Sequence, residues 1–333
     1  MKLCLLLTPT IDRKWHLARQ MGVNHAVAKL APELTGAEPP YDFDTLRRFK
    51  TQFDEFGLKL IGLEGDQFNM QRIKIGQPGR DEDIELFQRM LRNMGRLGLN
   101  LFCYNFMAVF GWTRTSSTTP ARGGAFCSSY SHELIQTGSE PEQAPLTEET
   151  LWENYTYFLR AVLPVAEESG VKLALHPDDP PITPIRGIGR IMITAEAFRR
   201  VFSLSDSPSH GAAFCQATFS LMEDVPDVAA LAEEFVSSGR VHYVHMRPVE
   251  GDRFAFHELF HDEGSVDFAK MLSVYQRCGF TGPLRPDHAP AMYEETAYDP
   301  DKGALASGYE ILGRMFAVGY LKGTANALSI PLD

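Results

Sequence analysis

The chain has 333 residues, 44% of them hydrophobic and 23% charged, and a formal net charge of −11. That composition supports a large buried core and excludes extended disorder. The acidic balance argues against nucleic acid or an anionic membrane as the main partner. The five cysteines (4, 103, 127, 215 and 278) are odd in number and contain no CxxC pair. A disulfide framework is therefore not expected, and a reducing, cytoplasmic setting is.

Strand-like and helix-like segments alternate from one end to the other. MKLCLLLTP reads as a first strand rather than a secretion signal, because its apolar run is short and charged IDRKW follows. The helical DRKWHLARQMG leads to HAVAKL, a second strand. The next helix, FDTLRRFKTQFDEFG, sets Leu46, Phe49, Phe53 and Phe56 at helical spacing. KLIGLEG is a third strand, and the acidic start and glycine end of DEDIELFQRMLRNMGRLG suit a helix and its dipole. NLFCYNF is a fourth.

A stretch rich in Ser, Thr, Gly and Pro follows, about residues 107 to 146, too long for an ordinary connection. Emerging at a strand end, it is expected to be a loop insertion that acts as a lid. TEETLWENYTYFLRAVLPVAEESG resumes the helical pattern behind a threonine cap. VKLALHP, GAAFCQA, VHYVHMRPV and GPLRPDH supply strands five to eight, with helices between them and a last helix from about residue 308 to 321. No run approaches the roughly 20 apolar residues of a membrane span.

Eight strands with intervening helices predict an α/β fold, a single (β/α)8 or TIM barrel over residues 1–333 with a long loop insertion after strand four. The alternative is an open doubly wound sheet, and no GxGxxG turn follows the first strand to support it. In a closed parallel barrel the downstream strand ends meet at one mouth. Four side chains with metal-binding chemistry stand at such ends: His176, Cys215, His245 and Asp287. Singly, a strand-end histidine is more often structural, and a buried cysteine is a small core residue. As a set, two imidazoles, a thiolate and a carboxylate can close around one divalent cation. Thiolate favours Zn²⁺ or Fe²⁺ and carboxylate suits Mn²⁺, so composition leaves the ion open.

A second layer of polar residues surrounds that set. Asp178 and Asp179 in HPDDPP read either as ligand-orienting acids or as turn formers beside proline. Arg247 and Arg285 each lie two residues from a ligand on the same strand face, where a guanidinium fork would receive a substrate carboxylate. His288 offers a side chain that titrates near neutral pH, as proton transfer requires. HELFH carries His257 and His261 in the letters of the zinc-protease HExxH, but its flanks do not form an amphipathic helix and that reading is set aside. His257 remains a candidate for substrate binding.

Longer strings carry a resemblance. YNFMAVFGWTRT (104–115), LALHPDDPP (173–181), VHYVHMRPV (241–249), FHELFHDEGSVDF (256–268), RPDHAP (285–290) and GYEILGR (308–314) together resemble the mannonate dehydratase family, over roughly residues 60 to 322. The resemblance implies a xylose-isomerase-like barrel and a lyase that removes water from D-mannonate to give 2-keto-3-deoxy-D-gluconate in hexuronate catabolism. It implies a divalent ion, Mn²⁺ ahead of Fe²⁺, Co²⁺ or Zn²⁺, on the same four residues reached from topology. It implies proton-transfer roles for His288 and Tyr309.

The implied partner is a small anionic sugar acid, and a homo-oligomer is compatible with a barrel of this size. A metal-dependent isomerase or epimerase on the same barrel, or a non-catalytic binding relative, are the alternatives. The chain also departs from the family. Gln216, Ala217 and Thr218 replace a Thr-Gly-Ser turn, Gly111 replaces an Asp, Ala108 replaces a Pro, and EGDQFNMQRIKIG lacks a Val-Pro-Val-His-Glu-like string. The metal centre is thus expected to be kept and the substrate contacts altered.

Overall fold

The strands of the computed structural model, which describes residues 1–139, 141–143, 145–295 and 308–333, run in one direction and close on themselves. They are β1 (Lys2–Leu7), β2 (His25–Ala28), β3 (Lys59–Glu64), β4 (Leu101–Tyr104), β5 (Lys172–Leu175), β6 (His210–Cys215), β7 (Val241–Met246) and β8 (Pro283–Pro286). Neighbours in sequence are neighbours in the barrel, and β8 closes it on β1 through Lys2–Pro283 and Leu3–Leu284. A helix follows each strand: α1 (Arg13–Gln20), α2 (Phe43–Phe56), α3 (Arg80–Arg96), α4 (Glu148–Glu168), α5 (Ala195–Ser203), α6 (Val228–Ser237), α7 (Phe268–Arg277) and α8 (Ile311–Ala327). Among the described residues no helix is long and apolar enough to cross a membrane.

Local chemistry accounts for these elements. Asp12, Asp42, Thr147, Thr194, Asp227 and Asp267 each accept first-turn backbone N–H groups and so start their helices. The strands are covered on both faces, which is why they read as continuous apolar runs. Outward side chains such as Leu5, Phe102, Leu173 and Phe214 join the helices in one large core. Inward ones, among them Cys4, Val27, Ile61, Cys103, Ala174 and Tyr243, fill the barrel interior. The lower barrel is therefore packed, and only its mouth is free for chemistry.

One irregularity positions the site. Between Ala26 and Val27 of β2 the partner on β3 jumps from Leu60 to Gly62. This bulge breaks the alternation of β3. Ile61 faces the interior, Leu63 joins the outer core, and Glu64 turns back in to line the mouth.

The 107–146 segment is not a structureless loop. It forms the strands Ser116–Pro120 and Phe126–Ser131 and the short helix His132–Gln136; residues 140 and 144 lie outside the described residues. The hairpin pairs antiparallel with Ala255–Glu258, which pairs with Val249–Gly251, giving a second, four-stranded sheet. A strand reading needs apolar alternation, and SSTTP and FCSSYS carry little of it.

Candidate metal centre and active site

The four strand-end candidates arrive from successive strands. His176 directly follows β5, Cys215 ends β6 opposite His245 of β7, and Asp287 directly follows β8. His176 Nε2 and His245 Nδ1 stand 3.2 Å apart. With Cys215 Sγ, their ligand atoms all lie within 4.8 Å of one another. Asp287 approaches this triad through Oδ2, 3.7 Å from His245 Nδ1.

Neighbouring groups aim each donor. His176 Nδ1 is hydrogen-bonded to the Pro177 carbonyl at 2.7 Å, which leaves Nε2 for a ligand. Asp287 Oδ1 accepts from Arg285 Nη1 at 2.6 Å and from the Tyr309 hydroxyl at 2.9 Å, leaving Oδ2. The Cys215 sulfur accepts from Thr218 Oγ1 at 3.2 Å and Arg247 Nη2 at 3.5 Å. Cys215 also opens the short helix Gln216–Ser220, held by Phe214 stacked on Phe219 at 4.6 Å and by Gln216 Nε2 donating to the Tyr275 hydroxyl at 2.9 Å.

The electrostatics suit a cation. Burial opposes ionisation of Cys215, but Arg247 and His176 together bring its thiol down to about 7. Burial likewise opposes charge on His176, and the bond to Cys215 lifts it to about 9. Burial, then Arg285, hold His245 neutral, as a ligand must be. Burial would raise the Asp287 carboxyl, yet Arg285 and its other cationic neighbours keep it ionised. Without a metal, one proton is shared in a buried thiolate–imidazole pair, and a divalent ion can replace it. The donor set, its spacing and its protonation fit such an ion.

A cavity of about 310 Å³ opens over these donors, lined also by Lys29, Glu64, Trp112, Asp179, His288 and Tyr309. Its size suits a small-molecule ligand. His288 Nδ1 lies 2.7 Å from Glu258 Oε1, and the rings of Trp112 and Tyr309 meet its imidazole edge to face at 4.9 and 5.0 Å. Gly308 makes this approach feasible. It has φ of +94°, and a Cβ there would stand 2.6 Å from His288 Cβ. Burial pushes the Tyr309 phenol well above its ordinary value, so it keeps its proton.

The structure separates the remaining sequence candidates. Asp179 lines the cavity and is clamped by Arg114 at 2.7 and 2.9 Å and by Arg247 at 2.7 Å. Asp178 is buried behind it, with Oδ2 taken by the Ile191 and Met192 N–H groups. Arg247 is fully buried and spans Asp179, Glu258, Cys215 and Thr218. Arg285 reaches the cavity, but Glu64, Asp287 and Tyr309 already engage it.

His257 is the correction. Alternation along Ala255–Glu258 turns it away from the cavity toward Glu250, 3.6 Å off and largely in solvent, and sends Glu258 inward instead. His261 sits on a turn, bound to the Met246 carbonyl at 2.8 Å, so HELFH carries no helical histidine pair. Sequence reasoning missed Glu64, hidden by the bulge, and set Glu258 aside with HELFH, although strand alternation beside His257 would have kept it. It also missed Trp112 and Arg114, which lie in the FGWTRT string.

The D-mannonate dehydratase (UxuA) family model matches residues 14–331. Mannonate dehydratase 2 of Halalkalibacterium halodurans is 35% identical over 308 residues, covering 84% of this chain and 86% of its own length. Mannonate dehydratase of Streptococcus pneumoniae is 31% identical over 313 residues, covering 86% and 83%. The crystal structure of mannonate dehydratase from Streptococcus suis serotype 2 matches with a TM-score of 0.88 at 27% identity, covering 100% of this chain and 97% of that one. Fold, mouth and end-to-end similarity agree: the chain belongs to the D-mannonate dehydratase family.

Proposed function

We propose that this protein is a metal-dependent hydro-lyase that removes water from D-mannonate to give 2-keto-3-deoxy-D-gluconate. The observation that carries the reading is the placing of His288, anchored by Glu258, and of the protonated Tyr309 phenol beside the donor set. His176, Cys215, His245 and Asp287 would hold the ion, with Mn²⁺ proposed ahead of Fe²⁺, Co²⁺ or Zn²⁺. When bound, it supplies positive charge for the negative charge that develops on substrate oxygens.

The chain's own groups move the protons. With Nδ1–H given to Glu258, His288 presents Nε2 as the base that takes the C2 proton. The electron pair left at C2 forms the C2=C3 bond as the C3 hydroxyl departs. Tyr309 gives that hydroxyl its proton and is left as a phenolate beside Arg285, whose Nη2 is 3.1 Å away. The enol then tautomerises to the keto acid, and the two groups exchange protons with solvent to reset. The Trp112 indole N–H, buried without a partner among the described residues, offers a donor to a substrate hydroxyl.

The 107–146 segment serves as the lid, because its Trp112 lines the mouth and its Arg114 clamps Asp179 of the mouth's wall. Five free cysteines fit a reducing cytoplasm. The test is incubation of the metal-loaded protein with D-mannonate and a colour assay for the 2-keto-3-deoxy product. No product with any of the four ions overturns the reading, and a recovered epimer replaces it with the epimerase alternative.

A further inference from the structure

Charges around the cavity set a requirement on the substrate's own carboxylate. Glu64, Asp179, Glu258, Asp287 and the Cys215 thiolate bring five negative charges into one connected network, and Arg114, Arg247 and Arg285 bring three positive ones. A divalent ion on the donor set would offset the remaining two negative charges. A sugar acid then adds one negative charge, and burying it unpaired is costly. The three arginines are committed. Arg114 and Arg247 are buried against Asp179 and Glu258, and Arg285 is shared among Glu64, Asp287 and Tyr309. Among the described residues that line the cavity, Lys29 is the remaining cation.

We propose that Lys29 forms the carboxylate subsite, receiving the C1 carboxylate of a sugar acid; this deepens, and rests on, the dehydratase reading above. Lys29 directly follows β2, two residues beyond Val27, whose side chain is inside the barrel. Strand alternation therefore directs it into the mouth. Its stem runs beside the end of β3, where a Cβ on Gly65 would stand 3.8 Å from Lys29 Cδ. Among the described residues its one carboxylate partner is Glu33, 2.7 Å away at (i, i+4), with Glu33 60% exposed. Such a solvent-facing pair is weak. A carboxylate held deeper in the mouth, where water is partly excluded, displaces Glu33 from the ammonium. The flexible four-carbon stem lets the ammonium follow the ligand without moving the barrel. The strand order β8–β1–β2 puts one strand, β1, between Lys29 and the β8 end that carries Asp287 and His288. The substrate thus lies across the mouth with its acid end on β2 and its reacting carbons beside β8.

The test compares wild type with Lys29→Met, which keeps the stem and removes the charge. The expected result is a KM for D-mannonate raised about 20-fold or more with kcat within about threefold, as loss of a charge-assisted contact made equally before and during reaction requires. Calorimetric Kd for D-mannonate should rise in parallel, while affinity for Mn²⁺ alone stays unchanged. The uncharged D-mannitol should bind both proteins alike, and Lys29→Arg should recover most of the loss. Unchanged KM and Kd for the sugar acid overturn the proposal, as does an equal loss for D-mannitol. D-gluconate separates the two readings. Lys29-dependent binding of D-gluconate without turnover of D-mannonate keeps the carboxylate subsite and removes the dehydratase reading. Failure of wild type to bind either acid overturns the subsite itself. Should Lys29→Met lose Mn²⁺ binding through misfolding, Lys29→Gln carries the same comparison.

Discussion

Glu258 shows how much one buried carboxylate decides at the residue scale. Its Oε1 takes hydrogen bonds from Arg114, Arg247 and His288 Nδ1, and although burial works against it, these partners hold its carboxyl at about 2. The charge fixes the His288 tautomer and steadies the imidazolium that forms when Nε2 takes a proton. Glu258→Gln keeps the shape and removes the charge. Its kcat should fall on the order of 100-fold with KM within about threefold, since the loss is felt after the substrate is bound. Steady-state kinetics with a near-ultraviolet circular dichroism control checks this, and an unchanged kcat refutes the role. Cys215 is the soft donor of the set, and its thiolate is partnered by Arg247 and Thr218. In Cys215→Ser, Mn²⁺ affinity measured by calorimetry should drop at least about tenfold. The rise in Tm that Mn²⁺ gives the chelator-treated wild type should shrink with it.

At the scale of the element, the eight strands and their helices were legible because buried parallel strands read as apolar runs and acidic or threonine caps mark the helix starts. The topology then brought His176, Cys215, His245 and Asp287 to one mouth without any contact being known. Contacts made across elements were not legible. Glu64 reaches the cavity through a bulge that KLIGLEG does not announce, and Arg114 reaches Asp179 from just ahead of a hairpin whose strands are polar. Arg247 and Arg285 looked available to substrate because strand spacing shows which way a side chain points and not which acids it meets. Gly62 makes the bulge testable. A Cβ there would stand 2.3 Å from the Leu101 carbonyl oxygen of the neighbouring strand, so β3 and β4 must part. Gly62→Ala should cost about 3 kcal/mol, the upper end for overpacking, and should lower kcat as Glu64 shifts. Gly319→Ala in α8 should move the urea midpoint the other way by about 0.5–1 kcal/mol, since alanine favours a helix interior and nothing lies within 4 Å of the added carbon.

The whole molecule carries an acid sensitivity, part of it seated far from the mouth. His210 begins β6 and His242 follows the first residue of β7, both at the upstream end of the barrel. Burial, then the charge of Arg240, lowers His210 to about 4, and burial, then Lys172, His210 and Arg240, lowers His242 to about 3. Both values lie below the ordinary 6.5. The stability each neutral ring contributes is therefore full above pH 6.5 and is lost as pH falls toward 4, where the unfolded chain binds protons that the folded barrel refuses. For His210 the loss is about 3 kcal/mol. His245 and His261, likewise lowered chiefly by burial, share this window from the mouth side, and the remaining groups act in others. Glu258, at about 2, loses its contribution below the ordinary carboxylate range near 4.3. His176, at about 9, loses its own as pH rises from 6.5 toward 9, and Cys215, at about 7, as pH falls from 9 toward 7. Urea midpoints of the chelator-treated protein should thus fall between pH 6.5 and 4, before the buried acids titrate. His210→Gln, which has no proton to take up, should flatten that fall and leave the curve above pH 6.5 unchanged in slope. A variant curve parallel to wild type from pH 6.5 to 4 would mean that His210 accepts its proton inside the folded barrel, and the acid sensitivity would then belong to the other lowered histidines, His242, His245 and His261.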